Sequence, residues 1–212
     1  MNDNRDEALA RKWDDRKSEI MVDLLGEMHD IVMHALIPYA IGGGLDLYYY
    51  PNGVKGTAIA TKELCELPGQ GSSNKLFESY ELVMFTRCEL DLEKARDESS
   101  GFGKAHRSIN ALLNQIAPYS ANATLNPFET CEFPENMESV GGKCMIFDAY
   151  GIEHEFLEEG HREEFGLLAV IEVFPCEMEY ARLCGGAKLI DKLKFAGVYP
   201  YSDLDRPVVA KF

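Results

Sequence analysis

Residues 165–207 read FGLLAVIEVFPCEMEYARLCGGAKLIDKLKFAGVYPYSDLDRP. From Leu167 to Phe174 every position except Glu172 is apolar. A strand covered on both faces reads this way, so this stretch is expected to run through the centre of a sheet. Pro175 stands where a first helical residue tolerates proline, and Glu177 and Glu179 follow near a helix start, where the dipole favours acids. Gly185-Gly186 closes that helix and opens a second one, in which Ile190, Leu193 and Ala196 face inward and Gly197 takes the C-terminal cap position. The tail from Tyr199 to Pro207 holds too many turn formers for a long element and is expected to lie against the sheet as a structured loop.

Working back towards the N-terminus, KCMIFDAYG at 143–151 reads as another strand, followed by a charged connector, EHEFLEEGHREE. FETCEFP, before it, suits a short edge strand. Residues 104–117 predict a helix with Ile109, Leu112, Leu113 and Ile116 inward, stopped by Pro118. FESYELVMFTRC at 77–88 predicts a long strand. Residues 45–50 and 53–65 predict a hairpin turned at Pro51-Asn52-Gly53, the first arm carrying three consecutive tyrosines. Residues 5–37 read as one long helix from the spacing of Ile20, Met21, Leu24, Leu25, Met28, Ile31, Val32, Ala35 and Leu36, with charged first turns up to Lys17 expected to fray and Pro38 as the stop. Gly42-Gly43-Gly44 precedes a strand and no Lys-Ser/Thr follows, so it is not read as a phosphate cradle. The whole pattern predicts an α+β fold with a mixed, largely antiparallel central sheet and helices packed on it, in a single domain over 1–212.

The chain has 212 residues, 46% hydrophobic and 27% charged, with a formal net charge of −15. That charge argues against nucleic acid, whose phosphates need Lys and Arg, and is compatible with a basic protein partner. No apolar run is long enough to span a bilayer and the N-terminus lacks the apolar core of a signal peptide, so no membrane is expected and a cytoplasmic location is the default. Cys65, Cys88, Cys131, Cys144, Cys176 and Cys184 include no C-x-x-C pair. Four of them sit among apolar neighbours and are read as small packed hydrophobes in a reducing compartment, with neither metal nor other cofactor implied.

Three segments, LDLYYYPNGVKGTAIATKEL, SYELVMFTR and LLAVIEVFPCEMEYARLCGGAKLIDKLKFAGVYPYSDLDR, resemble the suppressor of fused domain family in its bacterial single-domain form. The resemblance implies a mixed α+β domain with a central sheet and a non-enzymatic, protein-binding role. The animal member clasps an extended peptide between two domains. This chain ends at Phe212 soon after the signature, so that clamp's residues are not carried over. Bacterial members resemble immunity proteins, which neutralise toxins by tight binding. Many such toxins are basic nucleases, whose substrate charge an acidic inhibitor can mimic.

No G-x-S-x-G, H-E-x-x-H or phosphate loop is present. His154, Glu155, Glu158, Glu159 and His161 form the one local group with metal-like content. It supports the alternative of a metal-dependent hydrolase, against the plainer reading of a solvated charged loop. Cys176, near a helix start, lacks a His or acid at fixed spacing and is read as a packed thiol. Glu172 interrupts a buried strand, so either that face opens to solvent or the carboxylate pairs with a cation such as Arg87 or Arg206. Asp203, Asp205 and Arg206 are read as turn and capping residues that lock the tail, with direct partner contact as the alternative. The function expected is therefore binding of a protein partner, a basic toxin domain or an extended peptide. The candidate contact residues are Tyr48, Tyr49, Tyr50, Glu172, Tyr199, Tyr201, Asp203 and Asp205. A scaffold that takes an extended segment on a sheet edge is the other reading.

Overall fold

The computed structural model describes residues 3–152 and 162–211. In chain order the elements are α1 (Asp3–Leu25), β1 (Tyr48–Tyr50), β2 (Thr57–Ala60), β3 (Phe77–Thr86), α2 (Gly101–Ser120), β4 (Thr130–Glu132), β5 (Cys144–Tyr150), β6 (Glu163–Val173), α3 (Pro175–Cys184) and α4 (Gly186–Phe195). The strands form one sheet in the order β1-β2-β3-β6-β5-β4. Only the β3/β6 pairing is parallel. The fold class read from the sequence, mixed α+β with a largely antiparallel sheet, holds.

Side chains alternate across the two central strands, as a pleated strand requires. Val83, Phe85, Leu167, Ala169 and Ile171 face a core shared with Met21, Leu25, Met178, Ile190 and Leu193 of α1, α3 and α4. Leu82, Met84, Leu168 and Val170 face the other core, under Ile109, Leu112, Leu113 and Ile116 of α2. Helices therefore cover both faces, which is why β6 reads as almost continuously apolar. The expected pair of C-terminal helices is present, with Pro175 at the first turn of α3 and Gly197 at φ +66° just beyond α4.

A buried ion pair holds α1 to this sheet. Lys17 of α1 donates to the carbonyls of Lys62 (2.7 Å) and Cys65 (2.8 Å) and lies 3.4 Å from Glu81. Glu81 also accepts from the Thr61 hydroxyl at 2.6 Å and from the Leu64 and Cys65 amides. This capture bends 61–65 around the carboxylate. β2 consequently ends at Ala60, well short of the expected strand to 65. Beside it, the Trp13 indole donates to the Cys65 carbonyl at 3.0 Å. The charged early turns of α1 are thus helical and anchored at Trp13 and Lys17.

The long helix expected over 5–37 stops at Leu25. Gly26 adopts φ +81°, and a Cβ there would lie 2.8 Å from the Gly53 nitrogen. The chain then runs beside β1, with His29 N–H donating to the Tyr49 carbonyl (2.8 Å) and Met33 and Leu47 exchanging backbone bonds (3.1 and 3.0 Å). Hydrogen bonding to the sheet edge overrides the helical spacing there. Pro118 lies inside α2 instead of ending it. The Ala121 amide still reaches the Ala117 carbonyl (3.3 Å), so helical bonding continues past the proline.

The group His154–His161 lies outside the described residues. Among those described, no cluster of three or more His, Cys, Asp or Glu side chains could hold a metal ion. No described helix is long and apolar enough to cross a membrane. All six cysteines are free, Cys65 and Cys144 buried and the others partly so.

Candidate functional site

A groove of about 510 Å³ opens outside the carboxyl ends of the parallel strands β3 and β6. Its walls are the first turns of α2 (Gly101, Lys104, Ala105, Ser108), Lys143 at the head of β5, Glu172 on β6, and the tail Ser202–Asp205. Three of the eight residues singled out in the sequence, Glu172, Asp203 and Asp205, meet here.

Each wall is fixed by a local device. Ser100 caps α2 by accepting from the Gly103 amide at 2.9 Å, which sets Lys104 and Ser108 one turn apart along the helix. The tail is bonded to the sheet. Ser202 N–H donates to the Phe85 carbonyl (2.9 Å), and its hydroxyl bridges the Val170 carbonyl and the Glu172 amide, both at 3.2 Å. Asp203 accepts from the Thr86 hydroxyl (2.6 Å) and the Arg87 amide (2.7 Å). Arg206 makes a two-pronged bond to buried Glu177, each arm 2.7 Å. Asp203 and Arg206 therefore lock the tail, as the turn reading expected. Asp205 projects into solvent.

Glu172 does not pair with Arg87 or Arg206. Its partner is Lys143, at 2.6 Å, and Ser108 donates to its second oxygen at 3.3 Å. Lys143 also donates to Ser108 at 3.0 Å, closing a triangle on the groove floor. Arg206 is engaged by Glu177, and Arg87 sits over the Tyr201 ring at 4.4 Å and beside Asp203. A serine beside a lysine can act as a nucleophile and base. Here Lys143 donates both to the Ser108 hydroxyl and to Glu172, so it orients Ser108. Among the described residues no histidine lines the groove. At its rims Lys104 and Asp205 have no ion-pair partner among the described residues. The groove offers one cation and one carboxylate to whatever enters.

The tyrosines fall elsewhere. Tyr49 and Tyr50 are fully buried and present no surface to a partner, which corrects their reading as contact residues. Tyr49 instead bonds His106 Nε2 at 2.8 Å. Tyr48 is half-buried on the edge strand under Lys62, and burial, reinforced by Asp46, pushes its hydroxyl up to about 12. Tyr199 is half-buried, with its hydroxyl raised by burial and by Asp148, and Lys194 lies 4.7 Å over its ring. Tyr201 donates to the Lys55 carbonyl at 2.9 Å. Both tail tyrosines work as fasteners of the tail.

Lys104, Ser108 and Lys143 were not singled out in the sequence. The register Met145↔Glu172 is what brings Lys143 to Glu172, and that pairing is visible only once β5 and β6 are known to be antiparallel neighbours.

No protein-family model matches the chain, and no curated protein matches it in sequence. Thirteen chains of solved structures match it. One, from the Sufu–Fu complex, superposes with a TM-score of 0.57 at 15% identity, over 95% of this chain and 92% of that one. At this identity the likeness concerns architecture, and it spans nearly the whole of both chains: the protein has a suppressor-of-fused-like fold.

Proposed function

We propose that the protein is a non-enzymatic binding domain for a protein partner and, more finely, a bacterial immunity protein that neutralises a basic toxin in the cytoplasm. The observation that carries the coarser reading is the likeness along nearly the whole chain to a protein solved together with its partner Fu. The groove supports it. A polypeptide segment carries amides and charges of both signs, and the Lys104 and Asp205 rims with the fixed Lys143–Glu172 pair between them suit such a segment. The net charge of −15 supports the finer reading, since opposite fields speed encounter and reject wrong partners.

The test is co-expression with the product of the adjacent reading frame. The finer reading expects that product to arrest growth when made alone and growth to return when this chain is made with it. A harmless neighbour, or arrest that persists, overturns the toxin assignment. A regulator that takes an extended segment would still fit the groove. A hydrolase using the group at 154–161 is the competing class, and a stoichiometric metal ion in the purified protein would favour it over binding.

A further inference from the structure

The groove is not the only surface built for contact. Among the described residues, five of the nine exposed large hydrophobic side chains lie in one short segment: Met28 (38% exposed), Ile31 (56%), Leu36 (104%), Ile37 (57%) and Ile41 (75%). Scattered single apolar residues are ordinary on a surface, but a cluster of this kind marks an interaction site. Ile31, Leu36, Ile37 and Ile41 each leave more than half of their surface uncovered. The stop at Gly26 turns the segment away from the helical path on which its apolar stripe would have packed.

The segment is held in place without being buried. His29 N–H and the Met33–Leu47 pair tie it to β1. Asp46 accepts from the Ala35 amide at 2.8 Å and lies 2.6 Å from His34 Nδ1. The Gly44 amide reaches the Ile37 carbonyl at 3.0 Å, closing the turn that carries Leu36 to Ile41. A backbone fixed in this way presents its side chains pre-ordered, which lowers the entropic cost of docking. Because these bonds already occupy the outer edge of β1, a partner meets side chains here and does not add a strand.

Charge identifies the occupant. From Ser18 to Val54 the sequence has no Lys or Arg, while Glu19, Asp23, Glu27, Asp30 and Asp46 are acidic. Glu27 and Asp30 are exposed beside the apolar cluster and have no cation partner among the described residues. We propose that the Met28–Ile41 face docks a protein partner through an apolar patch of that partner ringed by Lys and Arg. A second copy of this chain would set like carboxylates against each other, and an anionic lipid surface would repel them. The proposal rests on the protein-binding reading and adds a surface to it. The face lies along β1, whereas the groove lies at the ends of β3 and β6.

The probe is a synthetic amphipathic peptide of Leu and Lys, about 18 residues so that it can form a helix, titrated into the full chain and followed by methyl NMR and calorimetry. Shifts are expected at Ile31, Leu36, Ile37 and Ile41. The L36S/I41S variant, which changes only exposed side chains, should bind at least about tenfold more weakly with unchanged unfolding. A Leu/Glu peptide should not bind. The proposal is overturned if the Leu/Lys peptide does not bind, if the variant binds it equally, or if its shifts fall on Lys104, Ser108 and Lys143. It is equally overturned if wild type binds anionic phosphatidylglycerol vesicles and not the peptide, or if wild type dimerises through this face. Shifts confined to the groove would sink this surface while leaving the protein-binding reading intact. Failure of that reading would appear instead as no complex with the adjacent gene product.

Discussion

The most consequential side chains are the buried, multiply bonded charges of the Lys17–Glu81 and Arg206–Glu177 pairs. Glu177 accepts both arms of Arg206 and the amides of Phe174 (3.1 Å) and Val209 (2.8 Å), so one carboxylate ties the helix pair to the tail. Removing one member of such a pair strands the other in the core. Arg206→Ala should therefore cost about 3–5 kcal/mol in urea unfolding, and Arg206→Lys should recover only part because lysine cannot fork. His106 gives a pH test. Its Nε2 meets the Tyr49 hydroxyl, its other nitrogen donates to the Ala95 carbonyl, and burial holds its pKa below the ordinary 6.5. As pH falls below that value the unfolded chain takes up a proton that the folded chain refuses, so stability is present above the unfolded pKa and lost on acidification. Wild type should lose stability more steeply than His106→Phe between about pH 6.5 and pH 5, with parallel pH curves as the contrary result. Little at this scale was legible in the sequence. Glu172 was recognisable as a buried acid needing a cation. Which cation answers it depended on sheet register.

At the scale of elements, the segment 163–197 was readable because three local signals agree. The strand is continuously apolar, Pro175 opens a helix, and glycines close both helices. Residues 26–37 read as helix because their apolar spacing is helical, while the contacts that decide their path are tertiary. Gly26 packs on Gly53, and the Met33–Leu47 bridge recruits the backbone. Gly26→Ala would place a side chain at φ +81° against the Gly53 backbone. It should cost at least about 1–3 kcal/mol and loosen amide-exchange protection of His29 and Met33. Wild-type protection in the variant would mean that the helix stop has another cause. At Pro118 the sequence signal was sound, yet α2 needs only two residues beyond it, Tyr119 and Ser120.

At the scale of the whole molecule, the layered architecture followed from the order and patterning of the elements, whereas the groove did not. It is assembled from α2, the ends of β3 and β6, Lys143 and the tail, pieces as far as 117 residues apart that only the topology brings together. The acidic charge was visible from composition, but its uneven placement, with no cation from Ser18 to Val54, gains meaning only when that segment is seen on the surface. If the groove holds a polypeptide segment, Lys104→Glu and Asp205→Lys should each weaken the complex with the partner by about tenfold or less while leaving unfolding unchanged, since both side chains sit on the rim. Equal affinity in both variants would place the partner elsewhere on the molecule. The most direct measurement of the central claim is calorimetric titration of this chain with the protein encoded beside it. A saturable one-to-one complex is expected, with an affinity that falls as salt rises from about 0.05 to about 0.3 M, because opposite charges meet across the interface. No heat of binding at any salt, together with turnover of a substrate by this chain alone, would contradict it.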